Sequence, residues 1–213
     1  MHGEGTLTMS DGESYTGAWS MGKRNGRGRW KASRDHGASV YDGEWDDDLR
    51  QGDGTWTSGG DRYTGQWRGN LRHGTGEWKG PDGNESYSGD WVDDKWTGEG
   101  KHVSPQGDTY EGGFRWGERH GVGSSRAATG ETYNGQWEDG VKHGEGKWGY
   151  QGDTYQGQYD GGKKTGMGTW KGSDGINYSG EWDDDIYHGQ GEWSDGMQWL
   201  QREKSVGTKV ALM

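Results

Sequence analysis

Apolar positions along the chain are mostly single aromatic rings set in polar stretches, and their spacing is that of strands. Tyr-x-Gly-x-aromatic occurs eight times, starting at Tyr15, Tyr41, Tyr63, Tyr87, Tyr110, Tyr133, Tyr155 and Tyr178. Its closing rings are Trp19, Trp45, Trp67, Trp91, Phe114, Trp137, Tyr159 and Trp182. Gly-x-Gly occurs nine times, and in six copies a Trp follows two residues later: Trp30, Trp56, Trp78, Trp148, Trp170 and Trp193. Residues two apart share one face of a strand. Each motif therefore puts rings and bare glycine backbone on one side, and rings can lie flat over that backbone. The residues between them, such as Asp42, Glu44, Thr64, Gln66, Asn134 and Gln136, make the other side polar. One aromatic and one wet face predict an all-β fold, an elongated single-layer antiparallel β-meander of tandem hairpin repeats forming a twisted rod or trough.

The spacings separate two kinds of connection. From each Tyr to the following Gly-x-Gly the distance is 11 residues in all eight copies, whereas the return to the next Tyr varies from 11 to 15. The first is a fixed turn and the second a loop that tolerates insertion, the longest being Lys31–Val40. Asp11-Gly12, Gly59-Gly60, Asp82-Gly83, Gln151-Gly152 and Asp174-Gly175 mark these loops as tight hairpin turns. Seven residues after each Tyr stand only Gly, Asp or Asn, the residues that best accept a left-handed backbone. The acidic runs Asp46–Asp48 and Asp183–Asp185 end on that turn position and have no EF-hand spacing, so no metal site is expected there.

The array is expected over residues 2–199, as eight full repeats with partial repeats at both ends. Trp199 takes the position of a repeat Tyr, and residues 200–213 form a C-terminal cap or a flexible tail. The centre is irregular. His102 and Ser125 replace the second-strand Trp, Phe114 replaces a first-strand Trp, and Trp96 and Trp116 fall off register.

Composition bears on whether such a chain folds. It has 47 Gly, 2 Pro, no Cys, 15 Trp and 11 Tyr in 213 residues, with a net charge of −11. Chains this polar are commonly disordered, but each Trp or Tyr buries on the order of 150–250 Å², and regular placement turns them into a core. The negative charge argues against nucleic acid, and the lack of Cys excludes disulfides and thiolate metal sites. The first residues show no basic and apolar leader pattern. A cytoplasmic protein is expected, peripheral to membrane or cytoskeleton.

The stretch Tyr133-Asn134-Gly135-Gln136-Trp137-Glu138-Asp139-Gly140-Val141-Lys142-His143-Gly144-Glu145-Gly146 resembles the MORN repeat, and the resemblance runs through roughly residues 2–199. It implies a rod or trough of hairpins. It also implies a scaffold role at cytoskeletal and membrane-contact structures, or a place beside catalytic domains in phosphatidylinositol phosphate kinases and a lysine methyltransferase. No such catalytic domain is visible in this sequence.

The sequence offers little catalytic chemistry. His73, His120, His143 and His188 share a position that elsewhere holds Asn, Gln or Thr, which marks a turn role. No phosphate-binding Gly-x-Gly-x-x-Gly or Gly-Lys-Ser/Thr motif is present, nor a nucleophile elbow. Neither catalysis nor a cofactor is expected. Arg24, Arg50, Arg72, Arg119, Lys142 and Lys164 recur nine residues after Tyr. They either pair with acids in the adjacent turn or form a basic ridge for phosphoinositide headgroups. Trp96, Tyr110, Phe114, Trp116 and Tyr133 are candidate anchors for a peptide or helix held in the trough, or else rings that only pack the sheet. The reading is a non-catalytic scaffold binding a protein partner through its aromatic face. The alternative is a membrane-targeting module binding anionic phospholipid, and a glycan binder is a weaker third. Unpaired terminal strands also allow an end-to-end homodimer.

Overall fold

The computed structural model describes residues 1–32 and 39–195, and the backbone of 199–202. Most of the long Lys31–Val40 loop and of the C-terminal tail lies outside the described residues. Among these, every helix or strand assigned is a strand and every strand pairing given below is antiparallel. The chain divides into two units, Met1–Gly107 and Asp108–Met213.

Unit 1 contains β1 (Gly3–Thr8), β2 (Ser14–Ser20), β3 (Lys23–Lys31), β4 (Val40–Asp46), β5 (Leu49–Ser58), β6 (Asp61–Arg68), β7 (Leu71–Lys79), β8 (Ser86–Val92) and β9 (Lys95–Val103). Unit 2 contains β10 (Thr109–Arg115), β11 (Glu118–Arg126), β12 (Thr132–Glu138), β13 (Val141–Tyr150), β14 (Asp153–Asp160), β15 (Lys163–Lys171), β16 (Asn177–Asp183), β17 (Ile186–Ser194) and β18 (Trp199–Arg202). Within each unit every strand pairs with its chain neighbours, which is the expected single-layer meander.

Glycine pairing explains why rings can be buried on one open layer. Gly135 of β12 lies opposite Gly146 of β13. Tyr133 covers this bare pair, and a Cβ added to Gly146 would collide with the Tyr133 ring and hydroxyl. The Tyr133 hydroxyl donates to the Gln136 carbonyl at 2.9 Å. Trp137 then wedges between two tyrosines edge-on, at 5.1 Å from Tyr133 and 5.3 Å from Tyr110. Its indole N–H donates to the Gly123 carbonyl at 3.1 Å, on the strand of the preceding repeat. Such edge-to-face pairs add about 0.5–1.5 kcal/mol each beyond simple burial. All sixteen motif rings are buried, with 0–8 % of their surface exposed, and they constitute the hydrophobic core among the described residues.

The fixed connection is a two-residue hairpin turn with both residues left-handed. Arg115 and Glu118 face each other across Trp116 (φ 54°) and Gly117 (φ 94°). This geometry matches strand twist and explains the Gly, Asp and Asn preference. The register then jumps from Gly135↔Gly146 to Gln136↔His143, leaving Gly144 and Glu145 as a bulge. The first Gly of Gly-x-Gly therefore serves the bulge (Gly144, φ 55°) and leaves the ring contact to the second. The bulge is held by Glu145 N–H donating to Gln136 Oε1 at 3.0 Å.

Two register assignments from the sequence need correction. Trp96 is in register, because Trp91↔Trp96 repeats Trp67↔Arg72 and places Trp96 where six other repeats carry Arg or Lys. At the C-terminal end Trp193 pairs with Leu200, and Trp199 pairs with Ser194, so Leu200 holds the strand position of the repeat Tyr. β18 thus draws residues 200–202 into the sheet.

Candidate functional site

The basic residues of the sequence reading lie across the aromatic face. Arg24 Cζ is 4.1 Å from the Trp45 ring centroid, Arg50 is 4.3 Å from Trp67, and Arg72 is 4.4 Å from Trp91. In unit 2, Arg119 is 5.0 Å from Trp137, Lys142 5.2 Å from Tyr133, and Lys164 4.7 Å from Trp170. Each side chain covers its own Tyr or the next ring, using its stem for packing and its charge for a cation–π contact. Burial holds Arg50 and Lys164 below their ordinary pKa values.

Their counter-charges differ along the chain. Arg24 Nε meets Asp48 at 3.0 Å and Arg72 Nε meets Asp94 at 2.8 Å, in each case the second turn residue of the next hairpin. Burial would raise the Asp48 carboxyl, but hydrogen bonds from the Arg24 backbone and side chain outweigh it and hold it low. Arg50 donates to the Asn70 carbonyl at 2.9 Å. Lys142 meets Glu131 at 2.9 Å, and the Trp148 indole N–H donates to the same carboxylate at 2.7 Å. Burial opposes ionisation of Glu131 too, yet these two hydrogen bonds keep its pKa lowered. At Arg119 the equivalent turn residue is Gly140, which has no side chain to offer.

The aromatic anchor set divides. Tyr110, Phe114 and Tyr133 belong to the buried core of unit 2. Trp116 occupies the first turn position, 68 % exposed. Trp96, in unit 1, stacks flat on Tyr87 at 4.5 Å and also meets His102 at 4.9 Å. Of the histidines before Gly-x-Gly, His73 Nδ1 lies 3.6 Å from Asp93 in a turn, and His143 Nε2 lies 3.4 Å from Glu138 at the end of β12.

What remains accessible on the aromatic face is the second-strand row. Trp30, Trp56 and Trp78 in unit 1, and Trp148, Trp170 and Trp193 in unit 2, are half-buried. Trp148 and Trp170 stack at 5.6 Å. Where this row is interrupted, the units differ. At His102 the missing indole is replaced by Trp96. At Ser125 a cavity of about 310 Å³ opens, lined among others by Arg119, Trp137, Gly140, Lys142, Glu131 and Asp108. Ser125 and Gly140 were not among the sequence candidates; Ser125 departs from the repeat, whereas Gly140 is one of four Gly at its turn position.

None of the curated proteins compared with the chain matches it. Among solved structures, the chain is similar to the wild-type TCP10 domain of Danio rerio CPAP in complex with a peptide of Danio rerio STIL. The two share 10 % identity with a TM-score of 0.34, over 94 % of this chain and 99 % of that one. The MORN repeat pattern matches at residues 1–14, 15–32, 41–60, 63–85, 87–109, 110–132, 133–154, 155–176 and 178–198. With nine matches spanning nearly its whole length, and a hairpin built on the Tyr–Gly–Trp contacts described above, the chain belongs to the MORN-repeat family.

Proposed function

We propose that the chain is a non-catalytic scaffold that captures a segment of a partner protein on its aromatic face. The observation that carries this reading is the row of half-buried indoles repeated in register, flanked by Arg and Lys side chains. Trp and Arg are the residue types that most often anchor protein interfaces. The sixteen core rings take no part, since their surfaces are already spent on one another. The binding surface is thus narrower than the full set of aromatics.

Selection of a displayed random-peptide library on the whole chain tests this. Peptides should be recovered whose binding is lost in Trp148→Ala with Trp170→Ala, while circular dichroism stays unchanged. Co-sedimentation with phosphoinositide vesicles at low and physiological salt tests the competing assignment. Salt-sensitive pelleting with no selectable peptide would move the function to the basic row and a membrane surface.

A further inference from the structure

The groove at Ser125 brings together a departure from the repeat and a turn without a carboxylate. The first is a missing ring. Six of the eight full repeats place Trp at this position, and the His102 repeat refills its gap with Trp96. The Ser125 repeat carries Arg119 at the Trp96 position, so nothing refills the space, and a cavity of about 310 Å³ remains. The second is a missing acid. Arg24 and Arg72 each hold the Asp of the following turn, whereas Arg119 faces Gly140 and its guanidinium meets the rings of Tyr110 and Trp137. The carboxylates lining the groove are otherwise engaged: Glu131 with Lys142 and the Trp148 indole, Asp108 with the Ala128 N–H at 2.8 Å.

We propose that this groove is a specificity pocket for an acidic segment of a partner protein, taking one aromatic side chain in front of Ser125 and one neighbouring carboxylate on Arg119. The occupant supplies the ring absent at Ser125 and a carboxylate that the Gly140 turn does not offer. The carboxylate takes the place that Asp48 and Asp94 hold on Arg24 and Arg72, where a charge-assisted contact is shielded from water on one side by the Trp137 ring. The ring takes the place of the second-strand indole. The proposal rests on the scaffold reading and narrows it to one chemistry of partner.

Two substitutions close the pocket. Ser125→Trp fills the ring space, and Gly140→Asp supplies a carboxylate to Arg119 at a turn position where Asp48, Asp94 and Asp185 already adopt the same left-handed backbone. Ser125→Trp returns the repeat to its common form and Gly140→Asp gives it the turn residue of three other repeats, so each variant should melt no lower than the unaltered chain. Peptides selected from a random displayed library on the unaltered chain should carry Asp or Glu beside an aromatic residue. Each substitution should weaken them by about tenfold or more, as should Arg119→Gln. Peptides without that pair, or binding unchanged in Ser125→Trp and Gly140→Asp, would overturn the pocket and leave the scaffold standing. Failure to select any peptide would overturn both.

Discussion

Trp96 lies nearly parallel to Tyr87, with ring centroids 4.5 Å apart and 6° between the planes, in the position where Arg72 covers Tyr63 one repeat earlier. The exchange is coupled to His102, which stands where Trp78 stands in that earlier repeat and touches Glu85 at 3.3 Å. Two atypical residues thus complement each other. Trp96→Arg alone should cost about 1–3 kcal/mol, because it leaves a gap beside the smaller His102 ring. His102→Trp alone should overpack against Trp96 by a similar amount. The double variant should recover most of the loss, with the new indole donating to Glu85 as Trp148 does to Glu131. Urea denaturation of the four proteins checks this; additive losses would show that the sites are independent.

Replacing Gly146 by Ala should be among the most damaging single changes, at about 3 kcal/mol or more, because its Cβ would occupy the space of the Tyr133 hydroxyl. Gly83→Ala, with nothing near its Cβ and a left-handed backbone (φ 69°), should cost only about 1 kcal/mol. Thermal melts of both variants compare ring contact with backbone strain directly.

Trp116→Asn should stabilise unit 2 by about 0.5–1 kcal/mol, since Asn tolerates a left-handed turn position far better than a bulky ring. The indole is 68 % exposed, so its removal loses little packing. A lower melting temperature would show that Trp116 makes a stabilising contact of its own.

The tyrosines set an alkaline limit. Burial raises the Tyr133 hydroxyl to about 12, and Tyr41, Tyr63 and Tyr155 are raised from the same first cause. An unfolded Tyr ionises near 10, so between 10 and 12 the unfolded chain has released protons that the folded one retains. The stabilisation is complete below pH 10 and declines as pH climbs through that window. Tyrosinate absorbance and circular dichroism, followed together, should change in one transition above pH 10; early tyrosinate formation in a folded chain would contradict it.

Strand identity, the core rings and the turn residues were legible because Tyr, Gly and Trp at two-residue spacing leave little freedom in which face they occupy. The role of each Gly in Gly-x-Gly was not, because a two-residue bulge keeps the same rings on the same face and so leaves the period-two pattern intact. Trp96 looked misplaced for a related reason. Its position is defined by distance from Tyr87, and an Arg-to-Trp exchange conceals that equivalence until the register Trp91↔Trp96 is seen. Of the candidate site, Arg119 was marked as one of six similar cations. Its distinction lies in what faces it, Gly140 and Ser125, and absence of a side chain is a weak sequence signal.

The indole N–H bonds have a consequence for how the array is divided. Trp45, Trp67, Trp91, Trp137 and Trp182 each reach back to a glycine carbonyl of the preceding hairpin. A folded module therefore begins and ends half a period away from the written repeat. Cutting between written repeats severs a seam and strands a Tyr without its roof, whereas removing one whole period, started at any phase, rejoins like with like. Gain or loss of a complete period therefore preserves these indole bonds, whereas a partial period breaks one.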